Sequence, residues 1–300
     1  MLRWYRRNGR TLPWRLPAGH AGNITNAYRI LISEIMLQQT QVSRVLIKYP
    51  EFLKRFPSLR SLARARQRDV VIAWKGMGYN NRAVRLHQLA QAVTEHHGGR
   101  IPSTFEQLIA LPGVGRYTAN ALLSSAFGKR AAIVDVNVQR VLSRIFWTMK
   151  SFDARRAALD IWTFAEHILP TGRVYDWNQA LMDFGATVCT ARQPQCPRCP
   201  VMSLCKSRSS MMTRRASISK REATLNGIPN RIHRGRIIER LRSVNNSRPI
   251  RFHTLGKSIL PNFSVRHHAW FALLLSGLAK DGLVRIAGNG SLKNNRVSLA

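Results

Sequence analysis

The chain has 300 residues, 45% of them hydrophobic, and carries 48 Lys and Arg against 14 Asp and Glu, a formal net charge of +34. The apolar content suffices for one good-sized core and a second, smaller one, so two or three domains are expected. So large an excess of one sign repels itself unless phosphates neutralise it, which points to nucleic acid as partner. The longest apolar run, Trp270 to Ala279, is broken by Ser276 and Gly277 and falls short of the ~18 residues of a membrane span. Residues 207–300 hold 18 Lys or Arg against 3 Asp or Glu, so the charge is spread along the whole chain.

From Ala27 to about Phe56, Ile30, Leu31, Ile35, Leu37, Val42, Val45, Leu46, Tyr49 and Phe52 recur at helical spacing, which predicts two helices. Further helical patterns run through Leu62–Trp74, Arg82–His96, Phe105–Ala110, Tyr117–Phe127, Val136–Phe146, Ala154–Ile168 and Trp177–Val188. Turn signals separate them at Lys75-Gly-Met-Gly78, His97-Gly-Gly99, Leu111-Pro-Gly-Val-Gly115 and Pro170-Thr-Gly172. Little alternates with period two, so residues 1–206 read as all-α. Ser207–Arg221, rich in Ser, Met and unpaired Arg or Lys, opens a basic linker over 207–229. Beyond it Arg234–Arg242, Thr254–Leu260 and Trp270–Lys280 are expected as helices. Leu283–Ile286 and Arg296–Leu299 then read as strands joined by a turn at Gly288-Asn-Gly290. Helices followed by a basic hairpin suggest a small winged-helix module at 230–300.

The four cysteines, Cys189, Cys196, Cys199 and Cys205, all fall in one stretch spaced C-x6-C-x2-C-x5-C. Thiolates gathered by short loops can wrap one metal centre. Disulfides would suit cysteines scattered through a secreted chain, and no signal peptide opens this one. Zinc sites usually show two knuckles or paired histidines, whereas here there is a single C-x2-C and no nearby histidine. The spacing favours a [4Fe–4S] cluster, and a soluble protein of the reducing cytoplasm, associated with the nucleoid.

Phe105 to Ala121 reads as helix, glycine hairpin, helix. Gly113 and Gly115, with Val114 between them, clear side chains from a tight turn, so amide N–H groups at the next helix's N-terminus can approach a phosphate. An ordinary αα-hairpin is the plainer alternative; the charge favours anchoring of a DNA backbone. Two acids also stand out. Glu34 lies between Ile32 and Ile35 on an apolar helix face, where desolvation raises a carboxyl's pKa. Asp135 follows the apolar run Ala131–Val134 and suits the N-cap of the next helix.

Taken together, Leu12-Pro-Trp-Arg15, Ser33-Glu-Ile-Met-Leu-Gln-Gln-Thr-Gln-Val42, Leu111-Pro-Gly-Val-Gly-Arg-Tyr-Thr118, Val134-Asp-Val-Asn-Val-Gln-Arg-Val-Leu142, Phe184-Gly-Ala and the four cysteines resemble the adenine DNA glycosylases of the MutY type. These belong to the helix–hairpin–helix superfamily that includes endonuclease III. The resemblance covers about residues 3–206. It implies a mainly α fold: a six-helix barrel over 25–130, packed on a cluster domain made of 1–24 and 131–206, with the active site in the cleft between them. It also implies a monomer acting on mismatched double-stranded DNA, with the four cysteines ligating a [4Fe–4S] cluster.

Breaking a purine N-glycosidic bond puts positive charge on the sugar and negative charge on the leaving base, so an acid and an anion are needed. By resemblance Glu34 protonates adenine and then activates water, Asp135 stabilises the oxocarbenium ion or bonds it transiently, and Asn137 orients Asp135. Tyr117 stands where bifunctional relatives place a Schiff-base lysine, which implies a hydrolase without lyase activity. Trp14, Arg15 and Gln179 match residues that line the adenine pocket. Gln38, Gln39 and Thr40 match a wedge touching the opposite purine, with Met77 and Tyr79 at the minor groove.

Val136 replaces a usual glycine, Asn80 replaces a usual second tyrosine, and the Nudix-like C-terminal domain of the family is not recognisable. Both A:G and A:8-oxoguanine are therefore expected substrates. A thymine-DNA glycosylase acting on T:G or U:G, or a DNA-binding iron–sulfur protein without catalysis, remain the alternatives.

Overall fold

The computed structural model describes residues 1–15, 27–147, 154–209, 224–244, 248–288 and 295–300. In chain order its helices are α1 (Leu2–Asn8), α2 (Ala27–Leu37), α3 (Val42–Arg55), α4 (Leu59–Arg64), α5 (Gln67–Ala73), α6 (Asn81–His96), α7 (Phe105–Ile109), α8 (Arg116–Ser125), α9 (Val136–Phe146), α10 (Ala154–His167) and α11 (Val174–Thr187). The strands β1 (Thr224–Leu225) and β2 (Ile228–Pro229) follow, then α12 (Asn230–Arg242), β3 (Ile250–Arg251), α13 (Phe252–Ile259), α14 (His268–Lys280), β4 (Val284–Ala287) and β5 (Arg296–Leu299). The chain divides into two units, Met1–Glu34 with Ile101–Ile218, and Ile35–Arg100 with Ser219–Ala300.

The first unit is built on α9. Val138, Val141, Leu142 and Ile145 recur at i, i+3, i+4 and i+7, and this stripe is buried against Leu181 and Phe184 of α11 and Ile161 and Ala165 of α10. The helix α1, with no buried residue of its own, is not expected from the sequence. It docks through Trp4, whose ring meets Phe184 edge-on at 5.4 Å.

In the second unit α6 packs on α4 and α5, burying Leu86, Leu89, Ala90 and Val93 with Leu62, Val70 and Val71. A single helix is expected over Leu62–Trp74, but two form. Ser58 and Ser61 make a reciprocal capping box that starts α4 early. The chain is then extended at Ala65 and Arg66, and the Ala65 carbonyl faces His87 Nε2 at 2.9 Å instead of continuing a helix.

Past the expected linker, which lies largely outside the described residues, β1 and β2 form a hairpin absent from the expected elements, though Asn226 and Gly227 supply the two positive φ angles, 50° and 75°, its turn needs. The order then runs helix, strand, helix, helix, strand, strand, with an antiparallel sheet ordered β3-β5-β4; β3 is not among the expected elements. The strands β4 and β5 pair from Val284↔Leu299 to Ala287↔Arg296; the expected turn at Asn289-Gly290 lies outside the described residues. Ile237, Ile238 and Leu241 of α12, Leu255 of α13 and Leu274, Leu275 and Leu278 of α14 are buried in this module, with Phe252 and Phe271 in edge contact at 5.1 Å.

Candidate active site

Glu34 sits on α2 among buried Leu31, Ile32, Ser33 and Ile35. The residue is half-buried, but its Oε2 is sealed from solvent and has no hydrogen-bond partner. Burial pushes the carboxyl up to about 7; the Tyr117 hydroxyl opposes this, the Asp135 charge adds to it, and Arg15 opposes it. Tyr117, on α8, has its own pKa pushed well above 10.0, by burial first and then by the charges of Glu34 and Asp135. It stays a neutral phenol. Its hydroxyl lies 3.9 Å from the Met182 Sδ, a weak acceptor, with the Glu34 carboxyl as the competing one.

Asp135 is delivered by an extended segment that side chains of α8, α10 and α11 pin in place. Asn120 Nδ2 donates to Ala132 O at 2.8 Å, and Ala132 N donates to Glu166 Oε1 at 2.9 Å. Asn178 accepts from Ile133 N at 3.1 Å and donates to Ala131 O at 2.9 Å. Nothing in the sequence singles out Asn120, Glu166 and Asn178, whose partners are all remote in the chain. Asp135 then caps α9, its Oδ1 accepting from Asn137 N at 2.9 Å and Val138 N at 2.7 Å, while Oδ2 accepts from Asn137 Nδ2 at 2.7 Å. The other end of the Asn137 amide, Oδ1, accepts from Arg140 Nη2 at 2.8 Å, and Arg140 also donates to the carbonyls of Gly185 and Cys189, at 2.6 and 2.9 Å. A Cβ on Gly185 would lie 2.8 Å from Asn137 Cβ, so the glycine lets α11 approach this point. Val136, at the start of α9, is 74% exposed.

Trp14 and Gln179 are buried. Arg15 is engaged by a partner that its sequence neighbourhood does not reveal: it grips Asp183, which Arg10 also contacts through its backbone N and Nε, both at 2.8 Å. Burial alone would raise the Asp183 pKa, but the hydrogen bonds and charge of Arg15, aided by Arg10, bring it below the usual value.

The second unit holds Gln38, Gln39, Thr40, Met77 and Tyr79. Gln39 and Tyr79 have left-handed backbones, φ 55° and 42°, and both are exposed. Met77 is buried. One buried guanidinium clips the two loops together: Arg82 donates to Ile35 O and Met36 O, both at 2.9 Å, to Gln38 O, to Thr40 Oγ1 at 2.9 Å, and to Met77 O and Gly78 O at 3.0 and 3.1 Å. It also lies over the Trp74 ring at 5.2 Å. An Arg one residue after Asn81 at the start of a helix carries no signal of this role.

Gly113 takes φ 77° at the hairpin, and Val114 is buried. Exposed Gly115 precedes α8 in open space, where an added Cβ would meet nothing within 4 Å. The first amides of α8 have no helical acceptor and face this open turn. The four cysteines are free and half-buried, two of them bounding a 3-10 turn, Cys196–Arg198. Burial, then repulsion from the other three, pushes up the Cys199 thiol; burial, then Cys189 and Cys196, pushes up Cys205. Arg144 ties the group to α9, its Nη1 donating to Cys189 Sγ at 3.4 Å and its carbonyl accepting from Cys205 Sγ at 3.2 Å. Among the described residues no three His, Cys, Asp or Glu side chains stand close enough for a single metal ion. Four free thiols drawn from one short stretch are the donor type that an iron–sulfur cluster takes.

Fold and site define a helix–hairpin–helix protein of base-excision type: residues 32–167 match the family described as HhH-GPD superfamily base excision DNA repair protein. The structure of a thermostable thymine-DNA glycosylase aligns with a TM-score of 0.62 and 34% identity, covering 70% of this chain and 93% of that one. An endonuclease III–DNA complex shares the fold, with a TM-score of 0.59 and 23% identity over 71% of this chain and 94% of that one. The adenine DNA glycosylase of Mycobacterium tuberculosis (strain ATCC 25618 / H37Rv) is 34% identical over 97% of this chain and 93% of its own length, and the chain belongs to that family. The Homo sapiens adenine DNA glycosylase is 42% identical over 69% of this chain. The chain spans about two fifths of the mammalian relatives, 38% of the human and 41% of the Mus musculus protein.

Proposed function

We propose that the protein is a monofunctional DNA glycosylase that hydrolyses the N-glycosidic bond of adenine mispaired with guanine or 8-oxoguanine. The observation that carries the reading is a carboxyl poised near neutrality, Glu34, in the same unit as a hydrogen-bonded carboxylate, Asp135, with a phenol, Tyr117, on which both charges act. Glu34 gives its proton to the flipped-out adenine as the bond lengthens, then takes one from the attacking water. Asp135, aimed by Asn137, opposes the positive charge that develops on the sugar. Tyr117 has no amine to form a Schiff base, so the strand is left intact. Trp14, Arg15 and Gln179 surround the base; Gln38, Gln39, Thr40, Met77 and Tyr79 enter the duplex from the second unit; the Gly113–Gly115 turn holds a backbone phosphate.

Cys189, Cys196, Cys199 and Cys205 hold a [4Fe–4S] cluster that serves as a rigid template and takes no part in hydrolysis. Exposed Arg192, Arg198, Lys206 and Arg208 on the same loops then face the DNA backbone. Iron and inorganic sulfide analysis of purified protein tests the cluster.

Duplexes with A:8-oxoguanine, A:G, T:G and U:G test the activity. Adenine release from the first two, with no borohydride-trapped adduct, is expected. Thymine or uracil release alone would establish the thymine-DNA glycosylase alternative, and binding without any base release would establish the non-catalytic one.

A further inference from the structure

The C-terminal module, residues 230–300, carries 13 Lys or Arg against two acids, Glu239 and Asp281. Both acids are engaged: Glu239 pairs with Arg242, and Asp281 pairs with Arg234 at 2.5 Å. Arg251, Arg285 and Arg296 make no ion pair among the described residues, and all three are exposed. They share one face of the sheet. Arg251 of β3 stands directly opposite Arg296 of β5, and Arg296 stands opposite Ala287 of β4. Arg285 comes two residues before Ala287, so it projects to the same side and lies diagonal to Arg296. The reverse face carries Val284, Val297 and Leu299, which are buried.

This arrangement costs the free protein stability. Side chains directly opposite on neighbouring strands have Cβ atoms about 4.5–5.5 Å apart, diagonal ones lie about 7–8 Å away, and like charges directly opposite are unfavourable. Arg251 also occupies the N-cap of α13, whose first turn holds no acid, and a helix N-terminus disfavours a cation. A row of anions laid across the sheet would relieve both effects. The third helix of the module offers no comparable surface: the exposed residues of α14 are Ala269, Leu273, Ser276 and, at its end, Lys280. Base edges are read by outward Arg, Lys, Asn or Gln, so most of that face has nothing to read them with.

We infer that the outward face of the β3-β5-β4 sheet docks the sugar–phosphate backbone of duplex DNA, with Arg251, Arg285 and Arg296 as its phosphate contacts. Charge sets the occupant: three guanidiniums on adjoining strands match a closely spaced series of anions, and a guanidinium fork fits phosphate oxygens two at a time. The module thereby holds DNA through its sheet, without reading sequence through α14. The inference rests on the DNA-glycosylase reading for its ligand.

The cross-strand pair provides the test. Affinity is measured across a salt series on an A:G duplex whose adenosine carries a 2′-fluorine to resist base release, and on a fully paired duplex of the same length. Arg251→Gln and Arg296→Gln are each expected to weaken binding about 3- to 10-fold near 0.1 M salt and to lower the slope of log K against log salt by about one. The loss is the same on both duplexes, because phosphate contacts carry no base identity. Arg296→Glu exchanges the like-charge pair for an opposite-charge one, so it melts at or above the parent temperature while binding more weakly than Arg296→Gln. Lys280→Gln removes the same unit of charge from α14 and is expected to keep the parent slope. Parent-like affinity and slope in both Arg251→Gln and Arg296→Gln, or an equal loss in Lys280→Gln, would overturn the site; lost binding of polyglutamate beside unchanged DNA binding would overturn it in favour of an acidic protein partner. If the parent releases no adenine from an unmodified A:G duplex, the activity reading fails instead, and the binding series still reports on the sheet by itself.

Discussion

Arg15 holds the sealed carboxylate of Asp183 through two parallel bonds, Nη1 to Oδ2 at 2.8 Å and Nη2 to Oδ1 at 2.7 Å. The Asp183 side chain is 0% exposed and that of Arg15 9%, so removing the acid strands a charge away from water. Asp183→Ala is expected to lose about 3–5 kcal/mol in urea unfolding. Because the folded pKa lies below its ordinary 3.8, the pair's stabilisation is complete above that value and is lost as pH falls through the folded one. The acid limb of the stability curve should be flatter in the variant.

Glu34 has its pKa raised to about 7, so the acid form needed to protonate a leaving base is populated below that pH. The single-turnover rate of base release is expected to fall as pH climbs through about 7, and Glu34→Gln to lose about 10²–10⁴-fold. The linkage runs opposite to that of Asp183: a carboxyl raised on folding costs stability once pH exceeds its unfolded value, most fully above about 7. Glu34→Gln should therefore melt higher than the parent at pH 8 and with little difference at pH 4.

Asp135 combines a cap with a charge, and asparagine keeps the first without the second. Asp135→Asn keeps the cap, since Asn caps as well as Asp, but sets its own NH2 against the Asn137 Nδ2 donor, so a loss of about 0.5–1 kcal/mol is expected while base release drops by about 10²–10³-fold. Asp135→Ala should also lose about 1 kcal/mol of stability. Thermal melts beside single-turnover rates separate the two contributions.

Gly185→Ala drives a methyl against Asn137, whose Cβ would be 2.8 Å and carbonyl O 3.1 Å away. The α9 N-terminus must shift, and with it the amide that aims Asp135. A loss of about 1–3 kcal/mol is expected from overpacking; a larger proportional fall in base release than in duplex affinity would mark the displaced aspartate.

Arg82 fills the gap between the Gln38 carbonyl and Thr40 hydroxyl on one side and the Met77 and Gly78 carbonyls on the other. Arg82→Ala leaves several buried acceptors without donors and is expected to destabilise by more than about 3 kcal/mol. Arg82→Lys, a point charge without the planar fork, should recover only part of that. Urea midpoints of the three proteins check the order.

Much of this is legible in the sequence, because helices obey rules that act within one turn. The stripe of Val138, Val141, Leu142 and Ile145 predicts α9 with both its ends, and Asp135 ahead of Val136 reads as a cap. The break between α4 and α5 is not legible, since the Ala65 carbonyl is turned out toward His87, 22 positions away. The reach of Arg82 to Ile35, 47 positions back, is hidden for the same reason.

Residue order alone determined the helical class, the glycine hairpin and the cysteine spacing, for these depend on neighbours a few positions apart. Only the tertiary structure decided that Arg15 is engaged by Asp183, 168 positions on, that Glu34 keeps its proton near neutrality, and that α12 joins the module to Val71 and Asn80. Each of these depends on desolvation or charge pairing between segments that chain closure brings together, and local spacing carries no record of where the chain will close.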